Sequence, residues 1–135
     1  MIRIAISLAV MFSISTARAE NVSLDQQAKC AAQGEKVFLE MGLSHQSASL
    51  QSHINSTLNK CFVSIEAGVG SPISKWLLDA YEQRLYAAYR WTASPTKKYW
   101  EVPPQTCEII PSFNAKRNCT SAEEYDAFVA PYLEQ

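Results

Sequence analysis

Apolar and polar positions alternate along this chain with two different periods. Over residues 23–41, Leu24, Ala28, Ala31, Phe38 and Met41 recur every three to four positions, with Val37 at the edge of the stripe. Gln27, Lys29, Gln33, Lys36 and Glu40 fall mostly away from it. That spacing predicts an amphipathic helix, with Ser23 as its N-cap and Gly42 as its left-handed stop. Residues 49–55 then alternate, Leu50 and Ile54 against Gln51, His53 and Asn55. Asn55, Ser56 and Thr57 favour a turn. Residues 60–67 alternate again, with Cys61, Val63, Ile65 and Ala67 opposite Phe62, Ser64 and Glu66. Period two with β-branched enrichment predicts a hairpin, and the Gly68 to Pro72 stretch breaks it.

Residues 73–91 carry two signals. Helical propensity runs through Trp76 to Glu82 and again from Gln83 to Tyr89. Alternation sets Leu85, Ala87, Tyr89 and Trp91 against Tyr86, Ala88 and Arg90, and the aromatic density favours it, so we expect strand, a turn at Glu82 and Gln83, then strand. Residues 92–104 form a loop rich in turn formers and aromatics. Residues 106–110 predict a short strand and residues 111–119 a polar connection. A capping box at Thr120 with Glu123, or at Ser121 with Glu124, opens a last helix. Its apolar face is Tyr125, Phe128, Val129, Tyr132 and Leu133, and Pro131 limits its regular part. The expected fold class is α+β: an N-terminal helix, an antiparallel sheet of about four to five strands, a C-terminal helix, and helices over one sheet face.

The N-terminus changes the compartment. Met1, Ile2 and Arg3 precede an apolar run over residues 4–14, and Ala17-Arg18-Ala19 precedes Glu20. This is the layout of a cleaved signal peptide over residues 1–19, since a membrane span needs about 20 apolar residues. The expectation is a periplasmic or secreted single domain over residues 20–135, with no stable membrane insertion after cleavage. Without Arg3 and Arg18, ten basic residues face thirteen acidic ones, a net charge near −3. The charges are interspersed, so no stripe tracks phosphates and nucleic acid is excluded as a partner.

Cys30, Cys61, Cys107 and Cys119 are four cysteines in a short exported chain, which reads as a disulfide framework with three pairings open. Cys30–Cys61 with Cys107–Cys119 is favoured, because a turn rich in Pro, Ser and Asn lets the second pair close locally. Each bridge contributes roughly 3 kcal/mol by loop closure. Zinc ligation is not favoured, because no CxxC pair occurs and only His53 and Cys61 lie near each other.

Candidate chemistry is sparse. No GxSxG, HExxH, P-loop or GxGxxG pattern occurs. His53 and Cys61 suggest a nucleophile and base, but an oxidised Cys61 is the simpler reading. His45 sits in a polar loop and reads as solvated. Asp79 and Glu82 flank the second turn, while Glu123, Glu124 and Asp126 suit a helix N-terminus. Asn21, Asn55 and Asn118 head Asn-x-Ser/Thr sequences, which matter only in a eukaryotic secretory pathway. No catalytic residue, cofactor or metal ligand is assigned. The best binding candidate is the loop bearing Lys97, Lys98, Tyr99 and Trp100 beside Pro103 and Pro104, because interfaces favour exposed Tyr and Trp. The competing reading folds Trp100 over the sheet edge as core cover. The expectation is a non-enzymatic domain binding a protein or envelope component; the alternative is a small exported hydrolase using His53 or the Asp79/Glu82 region.

Ser52-His53-Ile54-Asn55, Leu58-Asn59-Lys60-Cys61-Phe62, Asp79-Ala80-Tyr81-Glu82, Trp91, and Cys119 ahead of Tyr125 to Val129 resemble a group of small exported bacterial proteins of uncharacterised function. These share a Ser-His-aromatic-Asn…Leu-Asn-Lys-Cys-Phe segment. Ile54 stands where an aromatic is common and Gln83 where glycine is common. The resemblance implies export and no particular activity.

Overall fold

The computed structural model describes residues 22–134, so the signal-peptide reading of residues 1–19 and Asn21 lie outside the described residues. The element order is α1 (Leu24–Glu40), β1 (Ala48–Asn55), β2 (Lys60–Ala67), β3 (Ile73–Asp79), β4 (Arg84–Trp91), a 3-10 turn (Tyr99–Glu101), β5 (Thr106–Ser112), β6 (Ala115–Asn118) and α2 (Ala122–Leu133). The strands form one antiparallel sheet in sequence order, β1 to β6. The α+β class stands, and residues 73–91 are the expected hairpin. The strand count does not stand: six strands replace the expected four to five.

The extra strand lies in the stretch read as a polar connection. β6 pairs Asn118 with Glu108 and Arg117 with Ile109, and the register slips between Ile109 and Ser112. Pro111 sits inside that slip, where a residue without an N–H is tolerated. Every residue of β6 is exposed, so the strand has no alternating pattern to read.

The helices cover opposite faces of the sheet, not one. Cys30 and Phe38 of α1 pack with Cys61, Val63 and Ile65 on one face. Tyr125 and Val129 of α2 pack with Phe62, Leu77, Ala87, Tyr89 and Ile109 on the other. Successive β2 side chains point to alternate faces, so Phe62, opposite Cys61, Val63 and Ile65 in the alternation, is fully buried under α2. The stripe on α1 is also rephased. Leu24 is 89% exposed, whereas Cys30, Gly34, Val37 and Phe38 face inward. Gly34 lets the helix sit close to the sheet, since a Cβ there would lie 2.5 Å from Ser52 Oγ and 3.2 Å from Val63 Cγ2.

A bulge in β4 changes the second hairpin's faces. Leu77 pairs with Ala87 and Leu78 with Leu85, leaving Tyr86 extra. Tyr86 therefore joins Ala87, Tyr89 and Trp91 in the α2-side core. It packs edge-on against Phe62 at 5.2 Å and Tyr132 at 5.5 Å between ring centroids. Edge-to-face pairs of this kind contribute about 0.5–1.5 kcal/mol beyond area burial.

Caps and bridges close the structure. Ser23 and Gln26 form a reciprocal capping box on α1, and Gly42 takes φ +73° after its end. Ser121, not Thr120, caps α2 by accepting the Glu124 N–H. The favoured pairing is present: Cys30 bonds Cys61 with Cα atoms 5.5 Å apart, and Cys107 bonds Cys119 at 4.9 Å. The first bridge ties α1 to β2, and the second joins β5 to the segment entering α2. No helix among the described residues is long and apolar enough to cross a membrane.

Candidate functional site

Two hairpin turns at one end of the sheet repeat a single device. Each spans four residues, between the paired ends Asn55 and Lys60 in the first and Asp79 and Arg84 in the second. Asn55 Oδ1 accepts the Leu58 N–H at 2.9 Å. Asp79 Oδ1 accepts the N–H groups of Tyr81 and Glu82 at 2.9 and 3.0 Å. The last turn residue is left-handed in both, Asn59 at φ +50° and Gln83 at φ +52°. In each turn a short polar side chain at its head accepts backbone N–H groups locally, which supports the chain reversal.

Lys60 joins the two turns. Its Nζ donates to Asp79 Oδ2 at 2.7 Å and pairs with Glu82 Oε1 at 2.8 Å. Asp79 is buried and Glu82 half open to solvent. The Asp79 hydrogen bond, and after it that of Glu82, holds the Lys60 ammonium well above the ordinary lysine range. Asn55, also buried, donates from Nδ2 to the Pro131 carbonyl at 3.1 Å. That carbonyl lies in the last turn of α2, where no intrahelical partner exists. The polar positions of the first hairpin turn are therefore fastened to the second hairpin and to the end of α2. Gln33 of α1 adds a bond from Nε2 to the Ala80 carbonyl at 3.0 Å. Between the turns and the start of α1 lies a cleft of about 390 Å³, with Gln26, Ile54, Leu58, Lys60, Tyr81 and Glu82 on its walls.

The residues read as catalytic alternatives lie apart or are committed. Cys61 is bonded to Cys30 and registers opposite Ile54, while His53 registers opposite Phe62 on the other face. Asp79 receives three donors, with Lys60 wedged between it and Glu82. His45 is not merely solvated. It bonds Glu35 at 2.9 Å and stacks on Phe38 at 4.8 Å between ring centroids. Arg117 bonds Glu124, pinning β6 to the first turn of α2 and lowering the Glu124 pKa, with the Thr120 N–H as the next cause. The Glu123 pKa is lowered by backbone N–H bonding at the helix start and by Ser121.

The aromatic loop has a buried anchor and an open crest. Trp91, at the end of β4, is buried and donates its Nε1–H to the Val102 carbonyl at 3.0 Å. Its ring meets Tyr99 edge-on at 5.3 Å. The 3-10 turn closes when Glu101 N donates to Lys98 O at 3.0 Å and Lys98 N donates to Glu101 Oε2 at 2.9 Å. On this braced turn Tyr99 is 52% and Trp100 74% exposed, and Lys98 Nζ lies 5.2 Å from the Trp100 ring centroid. Lys97 is exposed beside them. Core cover at the end of β4 comes from Trp91, with Trp100 outside it. Sequence reasoning missed Lys60 as the joint between turns. Its only local signal is a lysine directly after a turn headed by asparagine, while Asp79 lies 19 residues on.

Among the described residues no three His, Cys, Asp or Glu side chains cluster so as to hold a metal. Comparisons with protein-family models, with curated proteins and with solved structures find no match to this chain.

Proposed function

We propose that this chain is a small exported binding domain that takes a protein or envelope partner on the loop bearing Lys97, Lys98, Tyr99 and Trp100. One observation carries the reading: two large aromatic side chains stand exposed on a turn that is hydrogen-bonded in place and anchored through Trp91. Exposing a tryptophan costs hydrophobic free energy that a fold recovers only when something covers it. Preorganised aromatic anchors flanked by a cation are also what interface centres favour, because little side-chain entropy remains to be lost. Export is supported by two disulfides, which persist in oxidising compartments, and by the signal-like residues 1–19.

A photo-crosslinking amino acid placed at Trp100 in cells tests this reading, with the same substitution at Val69, exposed in the loop between β2 and β3, as control. The expected result is a discrete adduct at position 100 and none at 69. The same weak adducts at both positions would remove the loop from the account.

A further inference from the structure

The cleft between the two hairpin turns and α1 has no part in the loop's binding role, and its chemistry is specific. We propose that this cleft binds a neutral saccharide. Charge narrows the ligand first. Lys29 is paired with Asp25 at 2.7 Å, and Lys60 is paired with both Asp79 and Glu82. One ammonium against two carboxylates leaves these groups with a net negative charge, so the cleft disfavours an anion. A metal ion is excluded by position, because the Lys60 ammonium already occupies the place between the two carboxylates.

Hydrogen-bonding capacity narrows it further. An ammonium carries three protons, and Lys60 uses two of them on Asp79 and Glu82. Glu82 meets Lys60 through Oε1, leaving Oε2 as an acceptor. Gln26 accepts the Ser23 N–H through Oε1, which leaves its amide nitrogen as a donor. An apolar ligand would strand these groups at a desolvation cost. Beside them stand the Tyr81 ring, 60% exposed, and the apolar side chains of Leu58 and Ile54. A sugar ring supplies the complement to both kinds of surface: a C–H face for an aromatic ring, and a rim of hydroxyls that donate and accept. An acetamido methyl group suits the Leu58 and Ile54 wall, which sets the choice of probe.

The probe is the trimer of N-acetylglucosamine, titrated by calorimetry and by saturation-transfer NMR. Sedimentation with purified peptidoglycan, whose strands contain the same sugar, runs beside it. Binding of the soluble trimer assigns the site to free oligosaccharide; retention on the polymer alone assigns it to an envelope glycan. In either case Tyr81→Ala should weaken binding by about tenfold or more, Glu82→Gln should weaken it several-fold, and Trp100→Ala should leave it unchanged. Tyr81 contributes its backbone N–H, not its ring, to the turn, so its substitution preserves the fold. No binding of either probe up to about 10 mM, or binding indifferent to both Tyr81→Ala and Glu82→Gln, overturns the proposal. Because the Trp100 loop is a different surface, failure here and failure of the loop reading are separately visible.

Discussion

Lys60 is the residue on which the two turns depend together. Lys60→Met leaves Asp79 Oδ2 buried without its ammonium donor, which should cost about 2–3 kcal/mol. Asp79→Asn keeps an oxygen for the Tyr81 and Glu82 N–H groups, so it should cost less than Asp79→Ala. Urea unfolding of the three variants measures this order. The pH dependence has a definite sign. The folded-state pKa of Lys60 is raised above its ordinary 10.5, so its contribution is complete below that value while its carboxylates stay ionised. It is lost as pH rises through the folded value. Burial also raises the Tyr125 phenol, which adds loss in the same direction. Wild-type stability should fall in strong alkali, and Lys60→Met should fall less steeply. At this scale the sequence was legible only locally. Asn55 reads as a turn former from its neighbours, but its bond to Pro131 crosses 76 residues and nothing local announces it.

At the scale of elements, periodicity found what packing had imposed on one side of a strand or of a helix. α1, α2 and the first two hairpins carry such patterns and were legible. β6 was not, since a strand exposed along its whole length leaves no alternation. The bulge at Tyr86 was also hidden, because an extra residue reverses the phase of the alternation on which the reading relies. Placing both helices on one face failed for a related reason. Phe62 and Val63 are adjacent and both fully buried, the mark of a strand covered on both faces, and alternation assigns only one of them inward. The contact between α1 and the sheet depends on Gly34. Gly34→Ala should destabilise by about 1–3 kcal/mol through overpacking, although alanine is the better helix former. A shift of the urea midpoint with unchanged slope would identify it. Gly34→Ala with Ser52→Gly should recover part of the loss, since Ser52 Oγ is the nearest obstacle.

The whole molecule separates what holds it together from what it presents. A six-stranded sheet carries one helix on each face, and each helix or its entry is tied by one disulfide to the strand beside it. The buried aromatics Phe62, Tyr86, Tyr89, Trp91 and Tyr125 serve the core under α2. Tyr99 and Trp100 stand outside it, and the candidate loop was legible because two aromatics, two lysines and two prolines crowd into one short segment. Which tryptophan served as core cover was not legible, because it depends on how the loop folds back, with the Val102 carbonyl meeting the Trp91 Nε1–H across 11 residues. Thermal unfolding of wild type and Trp100→Ala, paired with affinity capture from envelope extract by the same two proteins, tests the division most directly. The account predicts melting temperatures within about 2 °C of each other, with one discrete partner retained by wild type and lost by the variant. A large drop in melting temperature, or a partner held equally by both, would contradict it.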